Sequence, residues 1–278
     1  FFFDVSMAQA ENLKRELGEP SGPPTKKPRP EAPPQLLFSC APPPYFALDS
    51  LVSSGPRKGA DRGTPHCANR SLYKAGACSV GAWHCTEGGF PVTDRPTTEI
   101  FYVIEGEGQV VDADGTPHPW GPGDTVVLPK HWTGRWDIEK AIRKVFVVHD
   151  HPDLPDSNVE GPVRAVVGPS KDFMSSQLTA LGKRKDADFG EPHGASAKLY
   201  NVGPTSVGAW ECTAGGFPVV NRPTTEVFYV LEGVCFLTNL DGSARRVTAG
   251  DTVVLPKGWN GRWDILQTIR KVFVVVKE

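Results

Sequence analysis

The sequence predicts an all-β protein in which a disordered N-terminal segment precedes two barrels or sandwiches of short strands. Apolar runs such as SVGAWHC, EIFYVIEG and DTVVLP are rich in Val, Ile, Phe, Trp and Thr, and Gly, Pro and Asp-Gly separate them. Such runs are typical of strands joined by tight turns. An Asp-Gly pair ends DADG at Asp112 and NLDG at Asn239, and each pair predicts a hairpin because its glycine can adopt a positive φ.

The second observation is a long internal repeat. A shift of 127 residues aligns residues 57–148 with residues 184–275 without a gap, and about 60% of the aligned positions are identical. A period of this length predicts that each copy is a whole domain, because the units of solenoid proteins are only ~20 to 50 residues long. The most visible pair of copies is RPTTEIFYVIEG at Arg95 and RPTTEVFYVLEG at Arg222.

The third observation is the composition outside the repeats. The stretch GEPSGPPTKKPRPEAPPQ is too polar and too rich in proline to bury a core, so residues 1–46 are predicted to be a disordered tail. The other predicted boundaries place the first domain at residues 47–150, a linker at residues 151–182 and the second domain at residues 183–278.

Composition and charge narrow the classes of partner. The 278 residues carry a formal net charge of −2, which gives no reason to expect nucleic acid or an anionic membrane as a partner. No apolar run approaches the ~18 residues of a membrane span, so we expect a cytoplasmic protein with a small-molecule ligand. The basic cluster KKPR, from Lys26 to Arg29, resembles a short nuclear-localisation signal and leaves a nuclear location open.

Two motifs in each copy resemble those of a known family. TTEIFYVIEG followed by GPGDTVVLPKHW resembles the two signature motifs of the cupin superfamily, and the double copy resembles a bicupin. GRWDIEKAIRKVFVV at Gly134 and GRWDILQTIRKVFVV at Gly261 are similar to the small cupins grouped with (S)-ureidoglycine aminohydrolase-like domains. The resemblance covers nearly all of both repeats. It implies two tandem cupin barrels, each a jelly roll or double-stranded β-helix.

The resemblance also implies where a metal would bind, and this sequence departs from that pattern. Metal-binding cupins place three histidines and one glutamate inside the barrel, and Glu99 and Glu226 keep the glutamate. Imidazole ligands are what such a site needs to hold a transition metal, so we expect no metal and no other cofactor here. The histidine positions hold Thr93, Arg95 and Gly134 in the first copy and Val220, Arg222 and Gly261 in the second.

Strand periodicity predicts what replaces the metal. Residues two apart share a face of a strand, so Arg95 points the same way as Glu99, and Ile100 and Tyr102 point the opposite way. If Glu99 faces the lumen, as the resemblance implies, the Arg95 guanidinium can pair with it in the space of the metal. The opposite face is also apolar, so we expect it to pack on a second sheet, on the other copy or on another subunit of a homo-oligomer.

The candidate ligand-binding residues follow from this arrangement. The guanidinium would orient a small anion or a polar carbonyl group, and a tryptophan would form an apolar wall. A lysine in the otherwise apolar last strand either adds a second cation to the pocket or extends to its rim. The competing interpretation is a structural ion pair inside a filled barrel. The set comprises Arg95, Glu99, Trp136 and Lys144 in the first copy and Arg222, Glu226, Trp263 and Lys271 in the second.

Three functions stay open from the sequence alone. The first is a protein that binds a small polar or anionic metabolite, and the second is a metal-independent enzyme. As an aminohydrolase- or isomerase-like enzyme it would act on a small nitrogenous or carboxylated metabolite, with Glu99 or Glu226 as general acid or base and the neighbouring arginine as electrostatic stabiliser. The third is a structural assembly module. The sequence does not decide whether the protein is an enzyme.

Overall fold

The computed structural model describes residues 35–152 and 162–277, and the all-β prediction is confirmed. Four short 3₁₀ helices in these ranges span Pro43–Phe46, Leu48–Ser50, Ser170–Phe173 and Ser175–Gln177. The strands are β1 (Ser39–Ala41), β2 (Val52–Pro56), β3 (His66–Ala75), β4 (Cys78–Cys85), β5 (Gly88–Val92), β6 (Thr98–Asp112), β7 (Pro117–Trp120), β8 (Thr125–Leu128), β9 (Gly134–His149), β10 (Val166–Gly168), β11 (Thr179–Lys183), β12 (His193–Val202), β13 (Thr205–Cys212), β14 (Gly215–Val219), β15 (Thr225–Asn239), β16 (Ala244–Thr248), β17 (Thr252–Leu255) and β18 (Gly261–Val276).

Each repeat builds one barrel from a nine-stranded antiparallel sheet. In the first barrel the strand order is β10-β8-β6-β9-β4-β3-β2, with β5 paired to β9 and β7 paired to β6. The second barrel has the equivalent order β1-β17-β15-β18-β13-β12-β11, with β14 paired to β18 and β16 paired to β15. The predicted pair of tandem barrels is therefore confirmed.

The long strand β6 contributes to both layers of the first barrel because it changes partner along its length. Its first half pairs with β8 and its second half with β7, and bulges between Val103 and Gly108 separate the halves. Gly106 lies in this bend with a φ of 98°, and a Cβ there would lie 2.4 Å from the carbonyl oxygen of Ala141. Only glycine fits such a position, and Gly233 occupies the equivalent bend in β15.

The two faces of β6 follow the predicted alternation. Phe101 and Val103 point into the core of the first barrel. Ile100 points the opposite way, into an apolar layer formed largely by valines of both barrels. Tyr102 stacks on Tyr229 of the second barrel, with ring centroids 4.2 Å apart. The apolar face therefore packs on the other copy, as one of the three expectations had it. The homo-oligomer stays a prediction.

The segments predicted to be tail and linker contain strands, so these boundaries are corrected. β1 lies in the predicted tail of residues 1–46 and pairs with β17 of the second barrel. β10 lies in the predicted linker of residues 151–182 and pairs with β8 of the first barrel. The repeats thus exchange their first strands. Composition did not reveal this because the backbone hydrogen bonds of both segments are satisfied in the other barrel.

An equivalent position in each barrel anchors the exchanged segment. The Asp112 carboxylate of the first barrel accepts a hydrogen bond from the Ala165 amide at 3.0 Å. In the second barrel, the side-chain oxygen of Asn239 accepts one from the Phe38 amide at 3.2 Å. Ala165 and Phe38 are separated by the same 127 residues as the repeats, so the exchange is reciprocal.

Some predictions lie outside the described residues. They are the disorder of residues 1–34, the basic cluster from Lys26 to Arg29 and the course of residues 153–161. Across the two described ranges, no helix is long and apolar enough to cross a membrane. The cytoplasmic location stays a prediction.

Candidate functional site

The pair of Arg95 and Glu99 expected from strand periodicity is present in the first barrel, and a lysine joins it. One oxygen of the Glu99 carboxylate lies 2.5 Å from a terminal nitrogen of Arg95, and the other lies 2.7 Å from Nζ of Lys144. The second barrel repeats the cluster at the equivalent positions, with both nitrogen–oxygen distances at 2.8 Å. Each barrel interior therefore contains two cations that share one carboxylate.

Two strands and one turn bring the cluster together. Glu99 lies near the start of β6, opposite Val148 of β9. Lys144 lies four residues before Val148, on the same face of β9, because side chains of a strand alternate with a period of two. Arg95 precedes β6, where its amide donates to the carbonyl of Trp132 at 3.0 Å and its carbonyl accepts from the amide of His131 at 2.7 Å. These bonds fix the backbone of Arg95 against the turn that leads into β9.

Aromatic rings surround the lysine ammonium. Nζ of Lys144 lies 4.0 Å from the ring centre of Phe101, 4.4 Å from Trp136 and 4.7 Å from Trp83. Lys271 has the equivalent three rings at 4.0 to 4.7 Å. Because Lys144 is only 3% exposed, it lies inside the barrel and does not extend to the rim. Of the two placements that the sequence left open, the structure has the interior one.

Burial and charge act in opposite directions on the cluster. Burial alone raises the pKa of Glu99, but the Arg95 guanidinium and the Lys144 ammonium outweigh it and hold the pKa below its ordinary value. Burial lowers the pKa of Lys144 to about 8, although Glu99 opposes that shift. The pKa of Glu226 and the pKa of Lys271 are lowered by the same opposing effects. The carboxylates are therefore ionised at neutral pH, whereas Lys144 is still mostly protonated there and loses its proton near pH 8.

Each cluster lines a cavity, so neither barrel is completely filled by its own side chains. The cavity is about 240 Å³ in the first barrel and about 280 Å³ in the second. Sequence reasoning identified Trp136 and Trp263 as walls but missed Arg57 and Arg184, which line the same cavities. The available signal was recurrence, since these two arginines are the first identical pair in the aligned copies.

Arg57 and Arg184 differ in their surroundings. Each guanidinium lies over a phenylalanine ring, 4.4 Å from its centre in the first barrel and 3.7 Å in the second. Arg184 also pairs with Asp186, at 2.7 Å. The position equivalent to Asp186 is Gly59, and no carboxylate of residues 35–152 or 162–277 pairs with Arg57. The first cavity therefore has more uncompensated positive charge.

The positions that hold a metal in metal-binding cupins do not fit a metal here. Thr93 and Val220 are exposed, and the glutamate already has two cationic partners. A Cβ on Gly134 would lie 2.3 Å from a ring carbon of Trp132, so no ligating side chain fits at that position. Over the described part of the chain, no group of three His, Cys, Asp or Glu side chains could hold a metal ion.

Two antiparallel barrels built from one repeated sequence, each with a small cavity inside, define a bicupin. The family profile of the EutQ-like cupin domain matches residues 72–146 and 201–273, one segment in each barrel. Together these segments make up more than half of the chain. The chain therefore belongs to the family of EutQ-like cupin domains, and the predicted membership of the cupin superfamily is confirmed.

Solved structures share this fold at low sequence identity, so they show the fold alone. A protein of unknown function from Pseudomonas syringae pv. tomato has a TM-score of 0.64 and 18% identity, over 81% of this chain and 92% of that chain. Protein Ylba from E. coli has a TM-score of 0.56 and 13% identity, over 86% and 90%. HEPD from Streptomyces albus, with 2-hydroxyethylphosphonate and Fe(II) bound, has a TM-score of 0.55 and 9% identity, over 86% and 76%. A comparison with curated protein sequences gave no match.

Proposed function

We propose that each barrel binds a small carboxylate, or an anion of similar shape, in its cavity. The observation that carries the proposal is the excess of positive charge around the cavity. Among residues 35–152 and 162–277, Arg57, Arg95 and Lys144 line the first cavity together with one carboxylate, that of Glu99. At neutral pH this set leaves about two positive charges uncompensated. An anionic ligand would complete the charge balance in a space partly shielded from water.

The second barrel has a smaller excess of charge. Arg184, Arg222 and Lys271 line its cavity with Glu226, and Asp186 pairs with Arg184. Roughly one positive charge stays uncompensated at neutral pH. We therefore expect both barrels to bind the same class of anion, and the first barrel to bind it more tightly.

The size and the walls of the cavities support a ligand of a few carbon atoms. Both volumes lie slightly below the ~300 to 1,000 Å³ of pockets that hold drug-sized ligands. Aromatic rings, among them Trp83 and Trp136 in the first barrel, provide apolar walls. A guanidinium can bind a carboxylate through two parallel hydrogen bonds and so fix its orientation.

The other two interpretations have less support. A residue that starts a reaction as a general acid must hold a proton at the working pH, whereas the lowered pKa values of Glu99 and Glu226 keep both carboxylates ionised. A structural module has no need of open cavities lined by cations.

Calorimetric titration with lactate and lactamide tests the proposal. The two compounds have nearly the same shape, but only lactate carries a charge. We expect lactate to bind at two sites per chain. We expect lactamide to bind at least about tenfold more weakly, because a charge-assisted hydrogen bond contributes ~1.5 to 3 kcal/mol. Equal binding of the two compounds, or no binding of either, would contradict the proposal.

Matched variants assign the two sites. Arg57→Gln removes a charge from the first cavity, and Arg184→Gln removes its equivalent from the second. We expect Arg57→Gln to weaken lactate binding more, because Asp186 already offsets Arg184. Lys140→Gln is the control, since Lys140 is exposed on β9 and, within the described part of the chain, forms its ion pair with the exposed Glu107. An unchanged titration with Arg57→Gln would remove the first cavity from the proposal.

A further inference from the structure

We propose that Lys144 and Lys271 bind their ligand covalently, as imines formed with the carbonyl group of a small 2-oxo carboxylate. The inference rests on the proposed function, because the arginines of each cavity would hold the carboxylate of the same molecule. It goes further by naming the reactive atom of the protein and a second functional group of the ligand. Neither follows from carboxylate binding alone.

The position of the amine is the first support. Lys144 is 3% exposed, yet it lines the cavity together with Arg57 and Arg95. A carboxylate held by the two guanidinium groups would place its neighbouring carbon atom toward the remaining cation of the cavity. In a 2-oxo carboxylate that neighbouring carbon is the carbonyl carbon. Amine and electrophile are thus brought together by the charge that binds the ligand.

The surroundings of the amine are the second support. Three aromatic rings and one carboxylate surround Nζ, so it is removed from bulk water. Burial lowers the pKa of Lys144 to about 8 and thereby makes the neutral, nucleophilic amine available near physiological pH. Desolvation in an apolar pocket beside other cations is a known way to activate a lysine for imine formation. Lys271 has the equivalent surroundings in the second barrel.

The carboxylate of the cluster can move the proton that the reaction requires. The neutral Nζ attacks the carbonyl carbon, and the electron pair of the C=O double bond moves to oxygen. Glu99, 2.7 Å from Nζ, passes on both protons of the attacking nitrogen in turn: the first converts the oxyanion into a hydroxyl group, and the second lets that hydroxyl group leave as water. The C=N double bond forms as water leaves. One amine and one carbonyl give one imine and one water, so no oxidant or reductant is needed.

Reductive trapping of the full chain tests the inference. The protein is incubated with pyruvate and cyanoborohydride, which delivers hydride to the imine and leaves a stable secondary amine. Peptide mass spectrometry then compares the rate of modification at Lys144, Lys271 and Lys140. Lys140 is the internal control because it lies on the same strand as Lys144 but is 67% exposed. Near pH 8 we expect Lys144 to react at least about tenfold faster than Lys140, because burial makes its neutral amine available there, and we expect Lys271, whose pKa burial also lowers, to react faster than Lys140.

Variants and a competitor separate this inference from the proposed function. Lys144→Arg keeps the positive charge but removes the nucleophile, so modification in the first barrel should disappear while that of Lys271 continues. Excess lactate, which has the carboxylate but no carbonyl group, should slow modification at both lysines and leave Lys140 unaffected. If Lys144→Arg does not fold, the rates of modification at Lys144 and Lys140 in the chain without substitutions decide the question.

The outcomes are distinct. Modification of Lys144 and Lys271 no faster than that of Lys140, while lactate still binds, would overturn the imine and leave carboxylate binding in place. Loss of lactate binding itself, measured by calorimetry without pyruvate, would overturn the proposed function. Fast modification of both buried lysines that lactate slows supports both.

Discussion

The two barrels contain the same ion cluster, but a charged residue close to the cavity differs between them. The comparison shows which charges both copies keep and which position changes. Distances within the cluster agree closely, and the three rings around each lysine are equivalent. Close to the cavity, by contrast, Gly59 of the first copy corresponds to Asp186 of the second. A buried charge must keep its partner because an unpaired one is very costly, whereas an exposed charge can change at little cost.

The barrel cores differ at two facing positions, where a larger side chain in one strand is matched by a smaller one in the other. In the first barrel Gly108 lies opposite Trp120, and a Cβ on Gly108 would come within 2.7 Å of the indole. In the second barrel Cys235 lies opposite Val247. The large ring occurs where the facing residue has no side chain, and the smaller valine occurs where it has one. Close packing therefore couples these two positions.

Removal of the buried carboxylate should have the largest effect. Glu99→Gln leaves the cations of Arg95 and Lys144 buried without their anion, and we expect the free energy of unfolding to fall by about 3 to 5 kcal/mol. Glu226→Gln should cost the same in the second barrel, because the two clusters are equivalent. Urea unfolding measures both.

The control for this prediction is Glu107→Gln, which removes an exposed partner of Lys140. An exposed ion pair contributes at most about 1 kcal/mol, so this variant should unfold nearly as the unmodified chain does. A loss from Glu99→Gln as small as that of Glu107→Gln would show that the cluster is not a buried charge network.

Substitutions at the two facing core positions of the second barrel should have the next largest effect on stability. Val247→Trp forces an indole against Cys235, and we expect it to lower the free energy of unfolding by about 1 to 3 kcal/mol. The double variant Cys235→Gly with Val247→Trp recreates the pair of the first barrel and should recover at least half of that loss. Thermal unfolding of the single and double variants measures the coupling. Additive losses would mean that the two positions do not share one space.

A rise in pH should weaken anion binding in the first barrel. Lys144 keeps its proton below a pKa of about 8 and loses it above, so the cavity loses one positive charge. We expect the affinity for lactate to fall about fivefold between pH 7 and 9.5, which corresponds to roughly 1 kcal/mol. Stability should change in the opposite direction, since the unfolded chain binds more protons between pH 8 and 10.5 and the contribution of this group to stability rises there.

Calorimetric titration at several pH values checks the binding part. Lys144→Met removes the titrating group, and the first site of this variant should show an affinity that no longer changes over the same range. An affinity of the unmodified chain that rises with pH would contradict the assignment of Lys144 as a ligand-facing cation.

The charge that differs between the barrels should have the smallest effect. Asp186→Asn removes the partner of Arg184 while it keeps the shape of the side chain. We expect lactate to bind the second cavity about two- to fivefold more tightly at low salt, and the gain to shrink as salt increases. Calorimetry at two salt concentrations measures it, and a gain that is unaffected by salt would point to a cause other than charge.

The fold was predictable from sequence wherever its signals are local. Turn residues, β-branched runs and the period of 127 residues defined two all-β domains. The exchange of β1 and β10 was not predictable, because each strand has only three residues and forms its ladder with the other repeat. Short segments flanked by proline have the composition of a tail or a linker. That they form strands becomes visible only in their pairing with β17 and β8.

The candidate site was predictable to the same extent. Arg95 and Glu99 are four residues apart, so the alternation of an extended chain predicted that they point the same way, although Arg95 lies three residues before β6. Lys144 lies 45 residues from Glu99 on another strand, and its sequence position did not reveal whether it faces the carboxylate or the rim. Arg57 lies between β2 and β3, where no periodic pattern gives a direction. Its recurrence as Arg184 was the only sequence feature that marked it.

We expect that in each barrel a lysine and an arginine occupy the place of the coordinated metal of metal-binding cupins. This is tested by elemental mass spectrometry of the purified full chain, expressed in medium supplemented with iron, manganese, nickel and zinc. We predict far less than one metal ion per barrel, because the histidine positions hold no imidazole ligand. A reproducible content of about one transition-metal ion per barrel, lost in Glu99→Gln and Glu226→Gln, would contradict it.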